Sequence, residues 1–158
     1  MRYITKIKLA STIFLAVIAL SLIISQNASP DNPAFWSLKR AQEKVYLRLK
    51  SNPQEKLDYM SFLLDRRLDE LSSQVKRQSY SQILPSASRY SSLAGQITEL
   101  IISNNFTAYI EPTKQKFHSH QKVLQDLYIL YPKNTDNIEY KYIEDDINYL
   151  NIYLDKLR

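Results

Sequence analysis

Apolar and polar positions divide the chain into an unbroken apolar block followed by a series of amphipathic segments. Arg2, Lys6 and Lys8 make the first eight residues basic, and Leu9 to Ile24, with Phe14 near its centre, is apolar apart from small hydroxyl residues. A basic stretch followed by an apolar block is the order of an export signal. As a helix the block spans about 24 Å, somewhat short of a ~30 Å hydrocarbon core, which the flanking residues can make up. No small residue precedes the best cleavage point at the required distance, because Gln26 stands three residues before the bond after Ala28. An uncleaved anchor therefore ranks ahead of a cleaved signal, and in both cases the positive-inside rule directs the chain after Asn27 out of the cytoplasm. Residues 1–28 are read as signal or anchor, 29–34 as a Pro-containing spacer and 35–158 as one helical domain.

Beyond the spacer, apolar residues recur at intervals of three and four, the period of one helix face. Phe35, Leu38, Ala41, Val45 and Leu49 predict a first helix ending near Lys50. Leu57, Met60, Leu64, Leu68, Leu71 and Val75 predict a second, opened by Pro53. Pro85 falls in the first turn of a third helix or kinks one begun near Ser79. Its stripe is Leu93, Ile97, Leu100 and Ile101, and Asn104-Asn105 is its stop. A fourth is expected from Pro112 to Pro132, with Phe117, Leu124, Leu127, Tyr128 and Tyr131 inward. Ile143, Ile147, Leu150, Leu154 and Leu157 predict a fifth, with Asp136 available as its cap. The expected fold class is all-α, an antiparallel bundle of about five helices behind the N-terminal segment.

Composition supports that reading. The chain has one glycine, Gly95, and helices tolerate this better than hairpin-rich sheets do. It has no cysteine, which excludes disulfides, thiolate metal sites, thiol nucleophiles and a lipidated cysteine. The formal charge of +5 rests partly on the three N-terminal cations. The remaining charges are mixed in sign along the chain, so no nucleic-acid partner is expected. The twelve tyrosines are read as rimming the core, ring inward and hydroxyl in water, in preference to forming a recognition surface.

The first two helices carry a recognisable pattern: Pro33, Lys39-Arg40 and Glu43, then Arg66-Arg67-Leu68 and Glu70. It resembles a bacterial and archaeal family of unknown function whose members have an export or membrane segment and this helical pair. Leu84-Pro85-Ser86-Ala87-Ser88-Arg89-Tyr90 and His120 with Val123-Leu124 also resemble the downstream segments of some members. The resemblance implies an extracytoplasmic helical domain, linked in some relatives to regulators resembling anti-sigma factors, and names no catalytic residue. Within these 158 residues no segment is expected to form an attached regulatory domain. Independently, if the turn lies at Asn52-Pro53, antiparallel partners have numbers summing to about 105. Arg40 then faces Asp65, and Glu43 comes near Arg66 and Arg67, a salt-bridged clasp that would set register.

Other constellations are weak. His118 and His120 point about 200° apart on a helix and do not share one ion easily. Glu144, Asp145 and Asp146 fan outward and read as a solvated face opposite Ile143 and Ile147. Neither G-x-S-x-G nor a glycine-rich phosphate loop is possible with one glycine. No catalytic residue, metal or cofactor is therefore expected. The expected function is a non-enzymatic extracytoplasmic interaction or regulatory module, membrane-tethered or secreted, whose partners are the membrane and an envelope protein or a second copy. The alternative is a periplasmic-type chaperone or an envelope stress or metal sensor.

Overall fold

The computed structural model describes residues 16, 17, 19–21, 23, 33–133 and 138–158. Every regular element among them is helical. The chain divides into two compact units, Met1–Leu49 and Lys50–Arg158. The membrane-segment residues Leu9, Phe14 and Ile24, and the predicted cap Asp136, lie outside the described residues. Among the described residues no helix is long and apolar enough to cross a membrane.

The first unit contains helix α1 (Pro33–Leu49). Its buried positions are Trp36, Lys39 and Glu43, one residue out of step with the predicted stripe. Val45 and Leu49 are exposed instead, at 54% and 72%. The segment offers two faces at helical spacing, and the one holding its largest apolar side chain, Trp36, is the one buried. The Lys39 ammonium lies over the Trp36 ring, 4.9 Å from its centroid, so its aliphatic stem is buried while its charge meets the π face.

The second unit comprises α2 (Pro53–Lys76), a 3₁₀ turn (Tyr80–Gln82), α3 (Ile83–Ser103), α4 (Thr107–Leu130) and α5 (Tyr140–Lys156). Asn52 caps α2: its side-chain oxygen accepts from the Gln54 amide at 2.9 Å, and Pro53 occupies the first turn, where no N–H is required. All six predicted stripe residues of α2 are buried. Helix α3 packs against both α2 and α5, and α5 also packs against α4. Of the consecutive helix pairs, α3 and α4 touch each other least, so the pairs α2 with α3 and α4 with α5 are joined mainly through the non-sequential packing of α3 on α5.

Two helix ends replace the missing glycines. After α3, Asn105 takes φ 53°. The Phe106 amide reaches the Ile101 carbonyl at 2.9 Å and the Asn105 amide reaches Ile102 at 3.2 Å, the bond pair of a Schellman ending. After α2, Gln78 takes φ 60°, with Ser79 donating to the Gln74 carbonyl at 2.9 Å and Gln78 to Val75 at 3.1 Å. Asparagine tolerates this conformation better than glutamine does. Replacing Gln78 by glycine is therefore expected to stabilise the protein by about 0.5–1 kcal/mol, net of the greater freedom of the unfolded chain. Urea denaturation of the two proteins checks the shift.

Helices α4 and α5 need correction in this unit, and Pro85 takes the first of its two expected places. Helix α4 begins at Thr107, not at Pro112, which lies inside it. The proline removes one bond to the carbonyl four residues back, near enough to the helix start for the rest of α4 to continue. Pro85 is the third residue of α3, in the first turn, where it forfeits no bond. On α5 the buried stripe is Ile143, Asp146, Leu150, Leu154 and Leu157, whereas Ile147 is only half-buried. The carboxylate expected on a solvated face is in the core.

Candidate functional site

Two polar constructions occupy the second unit. The first is a chain of hydrogen bonds that crosses three helices. Tyr90 on α3 is fully buried and its hydroxyl lies 3.0 Å from His120 Nδ1 on α4. His120 Nε2 lies 3.0 Å from Asp65 Oδ1 on α2. Lys116, one turn before His120, donates to both Asp65 oxygens at 2.9 and 2.7 Å and to the Ser61 carbonyl at 3.3 Å.

Electrostatics fixes the protons along this chain. Burial, with Asp146 and Asp65 adding negative charge nearby, raises the Tyr90 phenol well above its ordinary value, so it keeps its proton. Burial also lowers the His120 imidazole against the opposing pull of Asp65. A neutral imidazole has one donor and one acceptor nitrogen. The Tyr90 hydroxyl thus donates to Nδ1, and Nε2–H donates to Asp65. The Asp–His–Tyr order has the form of an activated nucleophile, but Tyr90 is 0% exposed. The chain holds helices together. Tyr90→Phe is expected to destabilise by about 1–3 kcal/mol, because it leaves Nδ1 buried without its donor. A parallel Tyr149→Phe change, on a half-exposed side chain, should shift the melting curve little.

The second construction is a groove of about 460 Å³ between α3 and α5. Tyr142, Tyr149 and Tyr153 form one side, with Ser88, Ser91 and Ser92 opposite and Leu84 at one end. The Tyr149 and Tyr153 rings stack, with centroids 6.2 Å apart and planes 17° from parallel. Gly95 makes room beside them: a Cβ there would lie 2.8 Å from the Tyr153 hydroxyl oxygen and 3.0 Å from Cζ, so the ring would have to shift. Asp145 and Asp146 complete the lining.

Asp146 is 1% exposed, and its Oδ2 has no hydrogen-bond partner among the described residues. Burial raises its pKa to about 8, assisted by the Asp145 charge and opposed by a hydrogen bond with Ser91. The Ser91 hydroxyl donates to the Ala87 carbonyl at 3.1 Å, and a hydroxyl has one proton to give. That proton is engaged at Ala87, so Ser91 offsets the effect of burial on Asp146 only in part.

Each residue singled out in the sequence has a definite place within its own unit. Arg40 is exposed and Glu43 buried on α1. The Asp65 carboxylate is shared by Lys116 and His120. Arg67 is buried and its Nη1 reaches both Glu70 oxygens at 2.9 and 2.8 Å. Arg66 lies 5.6 Å from the Phe62 ring centroid. His118 is exposed and bonds Gln121 at 3.2 Å, away from the chain through His120. Among the described residues no cluster of three or more metal-binding side chains forms. Sequence reasoning missed His120 as a core residue and placed Asp146 on a solvated face, where the structure buries it. The one available signal was that Asp146 falls between Ile143 and Leu150 at steps of three and four. Comparison with family models, with curated proteins and with solved structures returns no match.

Proposed function

We propose that this chain is a non-enzymatic interaction module presented outside the cytoplasm, held there by its apolar N-terminal segment, and that it binds through the α3–α5 groove. The observation that carries this reading is the surface left over once the core is built. On α5, Tyr149 and Ile152 are 46% and 49% exposed. They stand with Tyr153 at steps of three and four, on one side of the helix beside the groove. Aromatic and apolar side chains grouped beside a concavity are the composition of a recognition face. The basic-then-apolar N-terminus supports presentation at a membrane of bacterial type, with the helical unit on its outer side. The resemblance of the Lys39-Arg40 and Arg66-Arg67 helices to an extracytoplasmic family points the same way.

A photo-crosslinking residue placed at Ile152 of the full chain, in intact cells, tests this. One stoichiometric adduct, absent when the probe is moved to Lys76, is the expected result. A spread of unrelated adducts would favour the chaperone reading, and none at either position would remove the α5 face as a binding surface.

A further inference from the structure

The groove has a chemical bias that narrows its ligand. Asp146 and Asp145 supply carboxyl groups, Tyr142, Tyr149 and Tyr153 supply ring faces and phenol oxygens, and Ser91 supplies a hydroxyl. No lining residue is basic. The site thus consists of hydrogen-bond acceptors and negative quadrupole faces, which favour a cation that also donates N–H bonds. Within it Asp146 Oδ2, buried and unpartnered, is an acceptor whose donor the described residues do not provide. Leaving such an atom unsatisfied is costly, and a ligand that supplies the donor recovers that loss on binding.

We propose that the α3–α5 groove binds a primary alkylammonium group, with Asp146 as its counter-ion and the Tyr142, Tyr149 and Tyr153 rings around its methylene stem. This rests on the reading of the groove as the binding face and names the chemistry it recognises. The donor could arrive on a free diamine or on a lysine side chain of a polypeptide, which present the same group.

Binding is coupled to a proton. In the free protein the Asp146 carboxyl is neutral at pH 7. The ammonium requires the carboxylate, so the acid proton leaves to solvent as the ligand enters. Ser91 can then turn its hydroxyl from the Ala87 carbonyl to the new carboxylate. Around Asp146 stand Asp145, Tyr142, Tyr149 and Tyr153 of its own helix, Tyr90 from α3, and His120 of α4 behind the Tyr90 hydroxyl, while Glu99 of α3 acts on Tyr153. His120 is lowered by burial, away from the raised Asp146, so Asp146 sets the dependence. With its pKa at about 8, affinity should rise about tenfold per pH unit from pH 6 towards 8 and level off above, until the amine itself loses its proton.

The test is calorimetric titration of the full chain in a non-ionic detergent with 1,4-diaminobutane and, separately, with Nα-acetyl-lysinamide. Saturable binding, the pH dependence above and release of about 0.9 proton per ligand at pH 7 are expected, the last read from binding heats in two buffers of different ionisation enthalpy. Asp146→Asn should abolish binding and Tyr149→Ala should weaken it several-fold. Asp146→Asn replaces a neutral acid by a neutral amide of the same shape, so a retained melting transition at pH 7 separates loss of binding from loss of fold. Tighter binding of the diamine would assign the site to a free amine, and tighter binding of the lysine derivative to a polypeptide. No saturable binding, equal binding by Asp146→Asn, affinity unchanged from pH 6 to 8, or equal affinity for tetramethylammonium, which donates no hydrogen bond, would overturn the proposal. The Ile152 adduct would survive such a failure, which separates it from a failure of the binding-face reading.

Discussion

Asp146→Asn is expected to gain stability over the natural chain by about 1.4 kcal/mol for each pH unit between roughly pH 4 and 8, and to gain nothing more above that. The sign comes from where the proton resides. In the unfolded chain the carboxyl titrates near 3.8, and in the fold it is pushed up to about 8. Between those values the folded protein holds a proton that the unfolded chain has released. Raising the pH therefore favours unfolding, until the folded carboxyl also ionises. The stabilisation is fully present below the lower value and lost as pH rises through the upper one. The side chain is 1% exposed, so solvent screens this little, and at pH 7 the accumulated effect is on the order of 4 kcal/mol. Asparagine cannot ionise and escapes it. Lowering of the His120 imidazole acts in the opposite sense, costing stability as pH falls below about 6.5, its ordinary value. Because His120 is present in both proteins, the difference between them isolates Asp146. Urea unfolding of the pair from pH 3 to 9 measures it, and two parallel curves would contradict the buried, neutral acid.

Phe117→Ala should be the most damaging single truncation in the α4 stripe, with a loss of about 3–5 kcal/mol. The ring is fully buried, one turn before His120 on the helix that also supplies Lys116. Removing it leaves a cavity that the neighbouring side chains refill only in part. For a domain of this size total stability is about 5–15 kcal/mol, so a large share would be lost. Ile129→Ala, on the same helix but 75% exposed, is the control and should stay within about 0.5 kcal/mol of the natural chain. Chemical denaturation of the two variants at pH 6 reads both. A Phe117 variant as stable as the Ile129 variant would mean that α4 does not pack as described.

The helices visible in the sequence are those whose apolar period has no competitor. Along α2 the spacing from Leu57 to Val75 admits one face, and Asn52-Pro53 marks its start chemically, so the buried residues agree with the pattern. The end of α3 was equally legible, because Asn104-Asn105 is the local substitute for a glycine cap. On α1 the pattern was ambiguous, and Trp36 outweighs Val45 and Leu49 through its larger surface. Pro112 misled because a proline reads as a boundary, whereas near the start of a helix it costs only one bond.

The candidate site was least legible for a physical reason. Tyr90, His120 and Asp65 are paired across separations of 30 and 55 residues, and no local period encodes such a pairing. Asp146 looks solvated beside Glu144 and Asp145, and only the approach of Ser91 from α3 shows that it is buried. The tyrosines proved to be of two kinds. Tyr90 and Tyr131 are fully enclosed, whereas Tyr142, Tyr149 and Tyr153 line a groove.

Carbon-13 NMR of the aspartate carboxyls, with samples taken from pH 3 to 10 and Asp146→Asn as the assignment control, tests the buried acid and its ammonium ligand most directly. The expected result is one carboxyl, absent from the variant, that titrates near pH 8 in the free protein and moves to lower pH when 1,4-diaminobutane is added. An Asp146 signal that titrates at the ordinary value near 4, unmoved by the amine, would contradict both.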